Sequence, residues 1–344
     1  MISNAARARA SFVSVFPNAS SGLAICMRDL CTSAGEERDR HLGGYPCDEL
    51  CSVVYRFLCC DWRDRGGSNH QGASKRWADR LGPRERGEPV SMFSSVDASE
   101  DPTRAISYLD QTRRAQSGMK HYANAAHAMR APNGFVLDVG CGVGHDLGLL
   151  AAASMAPVGV DPSAVLLAVA RERGGGSYPL LQANGEALPF RDESIAGAQI
   201  ERVLQHVAQP SVVLVEVVRC LRRGALLTVF EPNWAGFTVR SESGDERCGW
   251  LCAVRHPEVG GSLWDLIEAA GCTVLDRVEE LSVWRSLDVL DGTIGLERSI
   301  AHAVEHGRVS EQKADDWLRE QRARDARGRF YAMMPKVMIV ATRR

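Results

Sequence analysis

Between Val136 and Asp146 the chain reads VLDVGCGVGHD. Gly140, Gly142 and Gly144 alternate with single residues there, and the carboxylate of Asp138 stands just ahead of them. Glycines so placed let the backbone take angles closed to other residues, and let a ligand approach without meeting a Cβ. A helix starting just after them would present unpaired N–H groups, suited to a carboxylate or a phosphate. A dinucleotide site prefers G-x-G-x-x-G, whose third glycine permits close helix packing. Here G-C-G-V-G runs into His145 and Asp146. That spacing, with a carboxylate at 138, suits an ammonium better than a pyrophosphate.

The elements around this stretch must place it at a turn. DPTRAISYLDQTRRAQS and GMKHYANAAHAMRA carry apolar residues at helical spacing, and FVLDVG reads as a buried strand. Then come helix DLGLLAAAS, strand PVGVD, helix SAVLLAVARERG, strands YPLLQAN and AGAQIE, helix SVVLVEVVRCLRR and strand ALLTVFE. Strands alternating with helices of this length form βαβ units with a parallel sheet, giving a doubly wound α/β domain. Its ligand site lies beyond the carboxyl end of the first strand, where the glycines stand.

In the ordered set VLDVGCGVG, VGVDPS, NGEALPFRDES, ERVLQHVAQP and LRRGALLTVFEPNW, the chain resembles the class I S-adenosylmethionine-dependent methyltransferases, in the small-molecule, ubiquinone/menaquinone-type branch. The resemblance covers about residues 100 to 344 and implies a Rossmann-like sheet with an antiparallel last strand and S-adenosyl-L-methionine as cofactor. It implies that Gly140, Gly142 and Gly144 line the methionine part and that Asp138 holds its amino group. Asp161 would accept from both ribose hydroxyls. Asn184 stands where the family has an aspartate for the adenine amino group, and an amide oxygen accepts there without charge assistance. Cys141, Pro162, Gly185 and Glu201 complete the expected cofactor-binding set, Cys141 as a small residue in a tight turn. Ala196 departs from an aspartate that often begins the fourth strand.

Methyl transfer from a sulfonium needs alignment and exclusion of water, and a general base only where the nucleophile sheds a proton. His206, after the fourth strand, and Glu231, ending the fifth and expected to face the same cleft, are the catalytic candidates; a histidine there can titrate near neutral pH. The substrate wall is expected from the helices before Phe135, from residues 233–261 read as a loop, and from a helical insertion between strands CTVLDRVEELSVW and AMMPKVMIVATRR. Trp234 and Phe237 fit either core or pocket.

A net charge of -2 provides no basic field for nucleic acid, and no apolar run approaches the roughly eighteen residues that span a bilayer. The expected partner is a small molecule, with no nucleic acid and no membrane, and the oligomeric state is open. Arg319, Arg322, Arg324, Arg327 and Arg329 cluster, but Asp316, Glu320 and Asp325 among them fit a solvated helix face. The 11 cysteines lack paired C-x-x-C spacing, so a reducing, cytoplasmic compartment fits. Cys248, Cys252 and His256 would share one helix face, yet two small apolar side chains and a loop histidine explain them, and no metal is assigned. Residues 1–91 are rich in Arg, Ser and Gly, without the apolar periodicity that offsets ordering. They are expected to be a disordered extension or an over-extended reading frame, with the methyltransferase domain at 92–344 folding from Met92 alone. A nicotinamide-dependent oxidoreductase, or a methyltransferase fold kept as a binding module, are the alternatives.

Overall fold

The computed structural model describes residues 93, 96–99, 101–114, 118–130 and, but for 154, 243, 248, 252, 253 and 306, all of 134–344. It also describes a small antiparallel pairing of His41–Leu42 with Tyr45–Pro46. The chain divides into two units, Met1–Cys60 and Asp61–Arg344. The expectations for residues 1–91 otherwise fall almost wholly outside the described residues.

In the second unit, helices α1 (Thr103–Arg114) and α2 (Gly118–Arg130) precede strand β1 (Phe135–Val139). There follow α3 (His145–Ala152), β2 (Ala156–Asp161), α4 (Ala164–Arg173), β3 (Leu180–Gln182), β4 (Ile195–Glu201), α5 (Pro210–Cys220) and β5 (Leu221–Pro232). Beyond these lie β6 (Thr238–Ser241), β7 (Gly244–Arg247), α6 (Val259–Ala269), β8 (Cys272–Trp284), α7 (Leu287–Ile294), α8 (Leu296–Glu305), α9 (Glu311–Ala326) and β9 (Ala332–Arg343). No described helix is long and apolar enough to cross a membrane.

The sheet runs β3-β2-β1-β4-β5-β9-β6-β7, with β8 on β9. β1 to β5 are mutually parallel, and β9 enters antiparallel between β5 and β8. This is the expected doubly wound sheet with its antiparallel last strand and helical insertion. The chain starts at β1, winds outward through β2 and β3, and returns to β4 on the other side, so a crevice opens between the ends of β1 and β4. β1 buries Val136, Leu137, Asp138 and Val139 together, as a parallel strand covered on both faces must.

Two cores hold the unit. α5 begins with proline at its first turn and buries Val213, Leu214, Val217 and Val218, a helical stripe lying with Leu263 and Ile267 of α6 against Leu227, Val229 and Ile339 of the sheet. Each such side chain contributes about 1.5–3 kcal/mol by leaving water. The second core gathers Trp234, Phe237, Leu251, Trp284, Leu290, Leu296, Trp317 and Phe330, and forms a cap from the insertion and β6. Trp234 and Phe237 are therefore cap core, with rings 5.9 Å apart and edge to face.

The structure differs from the sequence reading at two places. Residues 233–261, expected as loop, contain the β6–β7 hairpin, whose turn closes at Gly244 with φ +124° and whose outer strand edge pairs Thr238 and Val239 with Met333 and Ala332. Arg240 and Glu242 point to solvent and break the apolar pattern that would have revealed it. Helix α5 ends at Cys220 rather than running on through Arg223, because Leu221 already pairs with Ile195 in the sheet.

On the opposite face α2 lies directly on the sheet. His127, fully buried, meets the Thr228 hydroxyl through Nε2 at 3.0 Å, and its Nδ1 stands 2.8 Å from where a Cβ on Gly197 would fall. Gly197→Ala should thus push α2 from the sheet and cost about 1–3 kcal/mol, the usual range for overpacking. Urea unfolding checks this, the expected outcome being a lower midpoint with an unchanged slope.

Candidate active site

The turn after β1 needs its glycines. Gly140, Gly142 and Gly144 have φ of +71°, +53° and +77°. At Gly140 a Cβ would also lie 2.4 Å from Cγ2 of Val203. The Gly140 and Cys141 N–H groups both donate to the Val160 carbonyl, at 2.7 and 3.0 Å, so the turn folds back over β2. Cys141 fills that fold, with Sγ 2.8 Å from the place of a Cβ on Gly159, as expected of a small residue in a tight turn. Burial holds its thiol well above the ordinary range.

Asp161 completes the turn. Its Oδ2 accepts from Gly142 N and its Oδ1 from Ser163 N, each at 2.9 Å. Burial raises its pKa against the pull of these two donors. The two backbone bonds make this strand-end carboxylate the tie between the β1 and β2 turns. Each carboxylate oxygen still has a lone pair for a further donor. Pro162 is exposed beside it, and its carbonyl accepts from Gln182 Nε2 at 3.0 Å.

The segment before α1 closes over this place. Asp97 accepts from the Ser163 hydroxyl and from Ala164 N at 2.8 Å, capping α4 from outside. Val96 and Ala105 are buried with Val143 and Leu166, and Leu109 Cδ1 lies 3.2 Å from the place of a Cβ on Gly142. Phe93 stacks at a tilt on His206, 5.0 Å between centroids, and on Tyr108 at 5.8 Å.

Behind the glycine turn stands a charged cluster in which the sequence reading gave a role only to Asp138 and Glu201. The Lys120 ammonium of α2 pairs with Asp146 at 2.8 Å and with Glu201 at 3.0 Å, and Glu201 also pairs with Arg202 Nε at 3.2 Å. Burial alone would lower the Lys120 pKa, but Glu201 and Asp146 outweigh it and hold the ammonium charged. Asp138 accepts from Gln199 Nε2 at 3.0 Å; burial, then the nearby Asp146 charge, push its carboxyl up strongly. Arg202 has φ +58°, a left-handed angle that aims the loop after β4 inward. Asp146, an acid in the first turn after the glycines, was open to detection as a helix-start acid; Lys120 and Gln199 carry no local signal. Met119, Lys120, Asn124, Glu201, Phe230 and Met338 line a cavity between α2 and the sheet.

Farther along the crevice, Asn184 is exposed with Oδ1 accepting from Glu186 N at 3.2 Å in its own turn, and Gly185 packs against Val213. Glu231 does not face the cavity, although the sequence reading expected it to face the cleft. Strand alternation sends Thr228 and Phe230 to the cavity and Glu231 to the opposite face, with Leu227 and Val229. There Glu231 is fully buried, Oε1 accepting from Leu204 N at 2.6 Å, while among the described residues Oε2 has no hydrogen-bond partner. Burial pushes its pKa up to about 8 despite the Leu204 and Val203 N–H groups. His206 does not titrate near neutrality: burial, then the charges of Arg202 and His256, push it down to about 3.

Other sequence candidates have structural explanations. His256 Nε2 faces the Val207 and Ala208 carbonyls at 3.0 and 3.3 Å, while Cys248 and Cys252 lie outside the described residues. Among the described residues no cluster of metal-ligating side chains occurs. Arg319 pairs with Asp316, and Arg322 with Glu297, each at 2.8 Å, as on a solvated helix face.

A family profile for a methyltransferase domain matches residues 137–229. An uncharacterized 37.1 kDa protein in transposon TN4556 of Streptomyces fradiae is 33% identical over 248 residues, covering 69% of this chain and 70% of that one. An uncharacterized methyltransferase of Mycobacterium marinum is 33% identical over 102 residues, 29% of this chain and 40% of its own. The demethylmenaquinone methyltransferase of Renibacterium salmoninarum is 30% identical over 159 residues, 45% of this chain and 65% of that enzyme. The chain therefore spans less than two thirds of either of these two methyltransferases.

Two titrations test the electrostatics. The His206 ring protons, followed by NMR against His206→Ala, should show no inflection near pH 6.5 and one near 3 in whatever range the fold survives. Glu231 has a folded pKa raised above its unfolded value, so between about pH 4.5 and 8 the folded chain holds the extra proton and this group's contribution to stability falls as pH rises. Glu231→Gln should flatten the fall by at most about 1.4 kcal/mol per pH unit, measured by denaturant unfolding across that window.

Proposed function

For this chain, which belongs to the class I S-adenosylmethionine-dependent methyltransferases, we propose in-line methyl transfer to a small organic acceptor, at O, C or N, in the cleft between α2 and the sheet. The observation that carries the reading is the β1 turn, where three left-handed glycines are tied by Asp161 to the end of β2 at the switch point of the sheet. The residues there suit the cofactor: glycines where side chains would block the approach, a buried carboxylate with acceptor capacity left at 161, and acids at 138 and 146 beside the turn. When bound, S-adenosylmethionine supplies a methyl group on a sulfonium that leaves as a neutral thioether.

In this reading Asp161 accepts from the ribose hydroxyls and Asp138 receives the amino group, an ammonium restoring the charge that burial suppresses. Gly140, Cys141, Gly142 and Gly144 supply the backbone along the methionine part, while Pro162, Asn184 and Gly185 border the nucleoside. Lys120 fixes Asp146 and Glu201 in place and completes the set from α2. Phe93, Val96 and Leu109 exclude water, which strengthens every charge inside. Glu231 holds the 202–204 loop in register through Leu204 N, and His206, neutral against Phe93, shapes the acceptor side. Neither supplies a base tuned to pH 6.5, so the reading rests on alignment and desolvation, and favours an acceptor that needs little help in losing a proton.

Calorimetry with S-adenosylhomocysteine, with NAD as the contrast, tests the cofactor, and turnover of methyl-labelled cofactor against metabolite pools, with products identified by mass, tests the reaction. Asp161→Ala should weaken S-adenosylhomocysteine binding by about 1.5–3 kcal/mol, the range for hydrogen bonds to a charged group. It should also lower the melting temperature, since two backbone N–H groups lose their acceptor. Unchanged affinity would remove Asp161 from the cofactor site.

A further inference from the structure

The face of the sheet that lines the cleft continues past it onto the antiparallel pair β8 and β9, where it carries a polar pair to which the reading above gives no role. Across that pair of strands Trp284 faces Ala332, Ser282 faces Met334, Glu280 faces Lys336 and Val278 faces Met338. Trp284, Ala332 and Met334 belong to the cap core, and Met338 lines the cleft with Phe230 and Glu201. Glu280 and Lys336 therefore sit where the apolar cap gives way to the cleft. Across its other edge Lys336 is opposite Pro232 of β5.

Facing cross-strand side chains start about 4.5–5.5 Å apart at Cβ, near enough for a lysine and a glutamate to meet. These two do not. Among the described residues Lys336 makes no hydrogen bond and no ion pair, and the buried Oε1 of Glu280 has no hydrogen-bond partner. The Lys336 stem is largely enclosed, with Glu280, Arg202 and Glu201 the charges around it, and burial lowers its pKa. A long stem lying on apolar surface with a hydrated head would explain an exposed lysine. It does not explain one whose facing carboxylate keeps an oxygen buried and unbonded, since such groups are costly to leave without partners.

We propose that Lys336 is an acceptor-recognition residue, its ammonium receiving an acidic oxygen, a carboxylate or an ionised phenol or enol, of the small molecule to be methylated, with Glu280 beside it. The inference rests on the methyl-transfer reading for the rest of the cleft. The cofactor's own carboxylate is not the partner, because β9 lies three strand spacings from β1, about 14 Å. The acceptor thus spans from the end of β4 toward the cap, with its acidic group at the cap end.

The full chain, free and saturated with S-adenosylhomocysteine, is titrated by calorimetry with benzoate and 2-naphthoate, and with benzamide and 2-naphthamide as neutral counterparts. Saturable binding of at least one acid, stronger than that of its amide, is expected. Lys336→Met should weaken acid binding about tenfold or more while leaving amide binding, S-adenosylhomocysteine affinity and the melting temperature unchanged. Lys336→Arg should keep most of the acid affinity. The proposal is overturned if neither acid binds saturably to the unaltered chain, if acids and amides bind alike, or if Lys336→Met leaves acid binding intact. Failure of S-adenosylhomocysteine to bind would instead undo the methyl-transfer reading, and the titration of the free chain would still decide the role of Lys336.

Discussion

The carboxylate of Asp161 accepts one N–H from the glycine turn and one from the start of α4, and much of the site depends on that pair of bonds. A turn with three left-handed residues has little intrinsic reason to hold one shape, because glycine loses more conformational freedom on ordering than other residues. Tying Gly142 to the end of β2, with Gly140 and Cys141 bonded to the Val160 carbonyl, makes the turn part of the sheet. The same carboxylate ends the strand next to the topological switch point, so the group that organises the backbone of the turn lies beside the crevice. Asp97 repeats the device from the other side by capping α4 and drawing the segment before α1 over the turn.

The Lys120 cluster is a second constraint of a different kind. Three carboxylates, at 138, 146 and 201, lie near one ammonium and the Arg202 guanidinium in a place largely closed to water. Burying charges is costly, and pairing offsets this only with good geometry. Here Lys120 bridges α3 and β4 from α2, so the pairing fixes the angle at which α2 crosses the sheet. Among the described residues Asp138 is left with an amide donor from Gln199 and no cation in direct contact, so burial, with the charge of Asp146, pushes its carboxyl up.

The cap has a core of its own but shares the sheet's longest antiparallel strand pair. Because side chains alternate along β8 and β9, one row passes from the tryptophan-rich cap core, through Glu280 and Lys336, to the cleft wall at Met338. The same alternation on β5 separates Phe230 from Glu231, placing one in the cleft and the other beneath the loop that follows β4. Cleft, cap and loop support are thus assigned by odd and even positions on two adjacent strands.

The sequence by itself determined the order of strands and helices, the place of the glycine turn and the residues at the ends of β1 and β2. These follow from local signals, namely apolar periodicity, glycine spacing and a carboxylate at a strand end, each contained within about ten residues. It also carried the antiparallel last strand and the helical insertion through the ordered motifs. Tertiary structure alone decided the partners of Lys120 and Gln199, the placing of Lys336 opposite Glu280, the enclosure that drives His206 down and Glu231 up, and the face onto which Glu231 turns. Those depend on which segments meet across the sheet and how much water they exclude. A hairpin such as β6–β7, paired along one edge and ending the sheet, escapes local reading for the same reason, since its strand character is set by the neighbour it pairs with.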